Sequence, residues 1–546
     1  MDNGIVRRSL LMAAMLFATI VTANAQEPTS RQRLHQSPPV LARYPDIGIT
    51  LDTPALRYGR TTLTSQTEME AVIDDLVSVP KSSAHAAKLE LGITPGRNKL
   101  LALMLSREVV KTPAQLAGLG RPIVWLIGQQ HGNEPAGGEA MLALAKALAN
   151  GELTPLLEKI SVVIVPRANP DGAAVDTREN ASGADINRDH GTLTQPEVRM
   201  LHALVRQLPP ALVVDAHEFT VGRRWVSKLG GLQAVDMMVL SATHPMVASS
   251  VRRLADEVFQ PALEAAVGRH GLTSFVYHTT SARAGDRSIS VGGNAPGIAR
   301  NAFGLMGAVS FLIETRGVGV GMEGFQRRVA AHYLATKAVL EVAAARSAGL
   351  QAAVTAVRAA ESGSVADIVV AHSVARNSIR LPLIDPLTGR DKFAIVDMLD
   401  TRVVTDIEAR ARPAGYLIPA ARAASLLARI ELMGGSHCAL SSDTAVAIER
   451  YEIFDRVEAD RRAINPDRSL SVRILADHVV ADRGDVFIPL DQPAGTRLAL
   501  ALEPDAPGSL SALELAIDGD GSTLALIRVP RAAMTPSFAE KLACKR

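Results

Sequence analysis

Aromatic residues and cysteines are scarce in this chain of 546 residues. Phe, Trp and Tyr together make up 3% of it, which leaves no broad platform of rings for stacking sugars or bases. Cysteine occurs only as Cys438 and Cys544, and without Cys-x-x-Cys spacing the two are no metal site by themselves. In an oxidising compartment they could pair and tie the C-terminus to its own domain. Charge of one sign is lacking too. The formal net charge is +2, and Lys and Arg are scattered rather than massed, so nucleic acid is not expected as a partner. Beyond the first 25 residues no apolar run is long enough to span a bilayer, so stable membrane insertion is not expected. There is no tandem repeat and no low-complexity block.

What is present is an ordinary globular balance, 47% hydrophobic and 21% charged. The chain is too long for one ordinary core, so at least two domains are expected. Residues 1–25 have the order of a signal peptide: Arg7 and Arg8, then the short apolar run Leu10 to Val21, then Ala23-Asn24-Ala25. Cleavage is expected before Gln26, giving an exported protein that is periplasmic or secreted. Residues 26–50 are polar and contain prolines, and read as an exposed lead-in.

From there the chain alternates. Met69 to Val77 has apolar residues at helical spacing, Lys99 to Leu105 and Ile123 to Ile127 read as strands, Ala136 to Ala149 as a helix, and Ser161 to Val165 as a strand. Leu212 to Val214 and Val309 to Ile313 are further short apolar runs, and helical patterning runs from Phe325 to about Ala359. This alternation argues an α/β domain over 51–350. After about 355 the texture changes to short strand-like runs, among them Phe393 to Val396, Arg402 to Val404, Tyr416 to Ile418 and Arg497 to Leu500. A β-rich accessory domain over 355–546 is expected, and no chemical constellation is evident in it.

The most informative segment is Gln130-His131-Gly132-Asn133-Glu134-Pro135, directly after the apolar run ending at Ile127. A strand end followed by a turn would aim His131 and Glu134 at one point, and imidazole and carboxylate are good zinc ligands. His217 follows another apolar run, Ala211 to Val214, and offers a third ligand. Open α/β sheets place their sites at such strand ends. Asn169-Pro170-Asp171-Gly172 is a turn signal. The segment after it carries Arg178, Asn187 and Arg188, and a guanidinium fork matches a carboxylate. Glu314 ends the run Phe311-Leu312-Ile313. A carboxylate buried there would have its pKa raised towards a value useful for proton transfer. Three metal ligands, an anion clamp and a base suffice for metal-assisted hydrolysis of an amide next to a carboxylate.

Taken in order, His131-Gly132-Asn133-Glu134, Asn169-Pro170-Asp171-Gly172, Arg178-Glu179-Asn180, Gly183 to Asp189, Asp215-Ala216-His217-Glu218 and Leu312 to Arg316 resemble the zinc metallocarboxypeptidases of the carboxypeptidase A type. The chain looks like a bacterial exported member with a C-terminal extension. The resemblance covers roughly 50–345. It implies a mixed, mostly parallel sheet of about eight strands flanked by helices, and one Zn²⁺ per chain held by His131, Glu134 and His217. It implies Glu314 as general base, Arg178 as the arginine that polarises the scissile carbonyl, and Asn187 and Arg188 as the grip on the substrate's terminal carboxylate. The spacing from Arg178 to Asn187 is shorter than in the digestive enzymes. Those enzymes carry a tyrosine about twenty residues before the catalytic glutamate, where this chain has Val291-Gly292-Gly293-Asn294. Tyr277, further upstream, either reaches over the site from a longer loop or packs in the core. Asp215 and Glu218 are candidates to support the ligands from behind.

The implied activity is hydrolysis of the C-terminal peptide bond of peptides with a free terminal carboxylate. One alternative is an exported zinc amidohydrolase acting on peptidoglycan peptides or another non-protein amide. The other is a binding module of the same fold without catalysis. The oligomeric state is not legible.

Overall fold

The computed structural model describes residues 34–78, 84–456, 470–510 and 523–544. The expected signal peptide and its cleavage before Gln26 lie outside the described residues. Eight strands form the central sheet: β1 (His85–Ile93), β2 (Lys99–Ser106), β3 (Ile123–Gly128), β4 (Ser161–Val165), β5 (Leu212–Thr220), β6 (Met237–Ser241), β7 (Ser274–Val276) and β8 (Val309–Val318). Their spatial order is β1-β2-β4-β3-β5-β8-β6-β7. The pairs β3/β4, β3/β5, β5/β8 and β6/β7 are parallel and the other three antiparallel. The sheet is thus mixed and parallel-rich.

The central strands read as near-continuous apolar runs because both of their faces are covered. On one face Val124 and Leu126 of β3 join a core with helices α1 (Gln66–Ser78), α2 (Pro135–Asn150) and, further along the chain, α4 (Phe325–Ala345). On the other face Ile123, Trp125 and Ile127 pack against α3 (Pro196–Gln207). Successive side chains of a strand point to opposite faces, which is why one run feeds two cores.

One expectation about organisation needs correction. Part of the lead-in is docked rather than exposed. Val40 is fully buried in a cluster with Val221, Leu232 and Ile384, and the Tyr44 hydroxyl donates to the Ala234 carbonyl at 2.8 Å. Its few apolar residues reach a cluster that the sequence does not announce. The region after 355 shares a core with the first domain. Tyr416, Leu426 and Leu498 belong to the same core as Trp125 and Phe303.

Within that region the short runs Phe393 to Val396 and Arg402 to Val404 are parts of one long strand, β10 (Asp391–Arg410), paired antiparallel with β9 (Ile368–Ile384). Both strands of this hairpin join segments of the first domain. Leu383 and Ile384 pair with 232–233, and Met398 and Leu399 pair with Ile289 and Ser290. Residues 415–544 contribute a seven-stranded antiparallel sheet. Arg497 to Leu500 is helical, in α5 (Gly495–Leu502), not a strand. Leu498 to Leu502 are all buried, and periodicity cannot tell a short buried helix from a buried strand. Cys438 and Cys544 form a disulfide between the edge strand Leu542–Cys544 and its neighbour Cys438–Leu440. No described helix is long and apolar enough to cross a membrane.

Candidate metal centre and cleft

The loop between β3 and α2 carries His131 and Glu134. It is tight, with the Glu134 N–H donating to the His131 carbonyl at 3.1 Å. Gly132 is required there: a Cβ would lie 2.0 Å from the Gly172 carbonyl carbon. Pro135 opens the helix, where its missing N–H costs nothing. The Glu134 side chain makes no cap and turns to the site instead. His217 sits on β5, and Glu314 is its direct partner on β8.

His131 Nδ1 and Glu134 Oε1 are 2.9 Å apart, His217 Nδ1 and Glu134 Oε2 2.8 Å, and the two Nδ1 atoms 3.0 Å. All three residues are buried. Ligand atoms about 3.3 Å apart are what bonds of about 2.0–2.1 Å at a tetrahedral centre require, so the group needs little movement to hold zinc. The far side of each ring agrees. His131 Nε2 is 3.1 Å from Asp185 Oδ1, and His217 Nε2 is 2.9 Å from Asp215 Oδ2. A carboxylate there keeps the hydrogen on Nε2 and leaves the Nδ1 lone pair for a metal. Asp215 is two residues from His217 on one strand and therefore on the same face. Its other oxygen accepts from Gln130 at 2.7 Å, and Gln130 in turn meets His190 at 2.8 Å.

Glu218 takes another path. Its carboxylate accepts the Ala136 N–H at 3.0 Å and pairs with Arg328 at 2.8 Å, so it caps α2 from the neighbouring strand. Only its backbone N–H reaches Glu134, at 3.0 Å from Oε2.

The charges in this group are set by their surroundings. Burial disfavours the carboxylate form of Glu134, but the His131 and His217 rings hold its pKa well below the ordinary range. Burial likewise opposes charge on His217, yet Asp215 and Glu134 on either side raise its pKa well above the usual value. For Glu314, burial and then the Glu134 charge push the carboxyl up to about 8. Divalent zinc would reverse the Glu134 contribution.

Arg178 brings a guanidinium to the same point. Its Nε and Nη2 donate to Asp185 Oδ2 at 3.0 and 2.7 Å, leaving Nη1 3.1 Å from His131 Nδ1 and 3.5 Å from Glu134 Oε1. Asp185 thus orients both a ligand histidine and an arginine, a role the sequence did not announce. Asn187 is buried. Its Oδ1 accepts the Ala299 N–H at 2.8 Å, and its Nδ2 lies 3.0 Å from His217 Nε2. With the hydrogen kept on His217 Nε2, that nitrogen accepts nothing from Asn187, whose amide N–H remains for a ligand. Arg188 is half exposed, with Nη1 donating to the Asn187 carbonyl at 2.9 Å.

Of the ten residues singled out by sequence, all but Asp215 and His217 line one cavity of about 1230 Å³, and those two are fully buried. Tyr277 is on its wall, where burial and then Glu314 raise the phenol pKa. Asn294 stands in the segment where the resemblance leads one to look for a tyrosine. Its Nδ2 is 2.8 Å from His372 Nε2 of β9 and 3.3 Å from the Thr401 carbonyl of β10. The hairpin therefore fastens that segment and lines the cavity through His372 and Arg376. Arg300, which no local pattern marks, is also in the wall.

Residues 70–218 match the zinc carboxypeptidase family. Over that stretch the chain is similar to zinc carboxypeptidases. A probable carboxypeptidase 2 of Trichophyton verrucosum is 30% identical over 315 residues, 57% of this chain and 60% of that protein. Carboxypeptidase 2 of Trichophyton equinum is 28% identical over 392 residues, 70% of this chain and 72% of that protein. The chain thus spans under two thirds of the length of the first of these relatives. A metallo-carboxypeptidase from Burkholderia cenocepacia superposes with a TM-score of 0.39 at 20% identity, covering 51% of this chain and 69% of that one. In the zinc carboxypeptidase domain, the ligand group His131, Glu134 and His217 fits one Zn²⁺.

Proposed function

We propose that the protein is an exported zinc metallocarboxypeptidase that hydrolyses the C-terminal peptide bond of peptides. The observation that carries this reading is the neighbouring of His217 and Glu314 in register, beside a buried His131–Glu134–His217 group in one open cleft. When bound, zinc supplies Lewis acidity to the attacking water and to the scissile carbonyl. The chain's own residues do the rest. Glu314 takes a proton from the attacking water and hands it to the nitrogen of the leaving amine. Arg178, braced by Asp185, donates from Nη1 to the carbonyl oxygen as negative charge develops there. Arg188 and the free N–H of Asn187 hold the terminal carboxylate. Tyr277 contributes its phenol from the wall.

The test compares the zinc-loaded full chain on a peptide with a free C-terminus and on the same peptide amidated. Release of single C-terminal residues from the free peptide only is expected. Equal cleavage of both overturns the exopeptidase reading and favours an amidohydrolase acting on cell-wall peptides or another amide. Export rests on the order of basic, apolar and small residues over 1–25. N-terminal sequencing of exported material should find Gln26, and a retained Met1 would refute cleavage.

A further inference from the structure

Arg300 is 2% exposed, yet its guanidinium has little to hold. Nη2 donates to the Gly293 carbonyl at 2.5 Å and reaches Thr243 Oγ1 at 3.5 Å, while Nε has no hydrogen-bond partner among the described residues. No described carboxylate lies within ion-pair distance of it. Arg327 and Arg328, also buried, are paired with Asp236 at 2.7 Å and Glu218 at 2.8 Å, and Arg167, buried without a carboxylate, instead places Nε, Nη1 and Nη2 on three oxygens. A buried charge without a counter-ion is costly. Burial lowers the Arg300 pKa only to about 10, so it remains a cation at neutral pH.

The position of this cation matters. It lines the same cavity as Glu314 and Arg188. Gly292 lies between it and Tyr277: a Cβ there would come within 2.8 Å of Arg300 Nη2 and 3.3 Å of Tyr277 Cδ1. Arg300 and Arg188 are near enough to oppose each other's charge. The acidic groups whose charges Arg300 feels have other work, Asp215 on His217 and Gln130, and Glu314 beside the metal group. His244, also in the wall, is held neutral by burial, its pKa down to about 3.

Resting on the carboxypeptidase reading, we propose that Arg300 determines specificity for the substrate's C-terminal side chain and selects an acidic one, glutamate or aspartate. Such a residue brings two carboxylates, one for Arg188 and one for Arg300. An aliphatic side chain would bury the guanidinium further without a counter-charge, and a basic one would repel it.

The experiment uses the zinc-loaded full chain as wild type, Arg300→Gln and Arg300→Lys. Benzoyl-Gly-Glu, benzoyl-Gly-Leu and benzoyl-Gly-Lys are the substrates. Calorimetry with N-acetyl-glutamate and N-acetyl-leucine gives a readout independent of turnover. Wild type should prefer Glu over Leu and Lys by about 10–100-fold in kcat/KM, and N-acetyl-glutamate should bind about tenfold tighter than N-acetyl-leucine. Arg300→Gln should collapse both ratios at least tenfold, with Arg300→Lys recovering part of them. Wild type that prefers Leu or Lys, or ratios unmoved in Arg300→Gln, overturns the proposal. Should Arg300→Gln not fold, the wild-type preference and the Arg300→Lys ratio decide. If no peptide is cleaved but glutamate is still favoured through Arg300, the carboxypeptidase reading fails and this subsite stands.

Discussion

His217 and Glu314 are direct partners across the parallel strands β5 and β8. Their side chains share one face of the sheet, and Asp215, two residues before His217, shares it too. One register therefore brings together a metal ligand, the carboxylate that orients it and the group best placed to act as base. A slip of one residue would turn Glu314 to the opposite face, where Thr315 now meets Glu218 and His332.

Zinc should bind at one ion per chain, measured by elemental analysis after dialysis. His217→Ala should lose it. Asp215→Asn keeps the shape of the side chain but weakens the hold on the ring, and should lower zinc affinity by about 10–100-fold. A chelator competition titration reads the difference.

Glu314→Gln should keep its zinc and its peptide binding and lose turnover. Removing a placed base typically costs about 10²–10⁴-fold. Steady-state kinetics at verified metal content measures it, and activity within about threefold of wild type would assign proton transfer to another group.

Stability of the metal-free protein should depend on Glu314 in a defined pH window. The folded carboxyl is pushed up to about 8 from an ordinary value of 4.5. Between these values the unfolded chain has released the proton and the folded one still holds it. This group's contribution to stability is thus greatest below about 4.5 and is lost as pH rises to about 8. Thermal melts of metal-free wild type should fall further between pH 5 and pH 9 than those of Glu314→Gln. Zinc should narrow the gap, because a cation at Glu134 offsets the like charge that raises Glu314.

Arg188→Ala should impair peptides with a free C-terminus and leave amidated ones nearly unchanged. The guanidinium is half exposed, so the loss should be that of a single charge-assisted hydrogen bond, about 1.5–3 kcal/mol or roughly 10–150-fold in kcat/KM. Equal effects on both peptides would remove Arg188 from the clamp.

Much of the site could be read from local pattern. The runs ending at Ile127, Val165, Val214 and Ile313 are continuous and apolar because both sheet faces are covered, and residues of the metal centre or its base follow the first, third and fourth. His131 and Glu134 are near in sequence, so one turn suffices to join them. Other elements had no such signal. Two runs in β10 looked like separate short strands because half of that strand's residues face solvent, and α5 looked like a strand because it is buried all round.

By itself the sequence determined the alternation of strands and helices, the types of ligand and the order in which they come. Those depend on side-chain chemistry and on period, which are local. Only the tertiary structure decided that Asp185 braces both His131 and Arg178, that the 368–410 hairpin fastens the cleft wall at Asn294, and that Arg300 is buried in that wall with no described carboxylate beside it. Burial and counter-charge are properties of contacts between segments up to a hundred or more residues apart, such as Met398 with Ile289. Nothing in the residues flanking Arg300 states which groups will surround it.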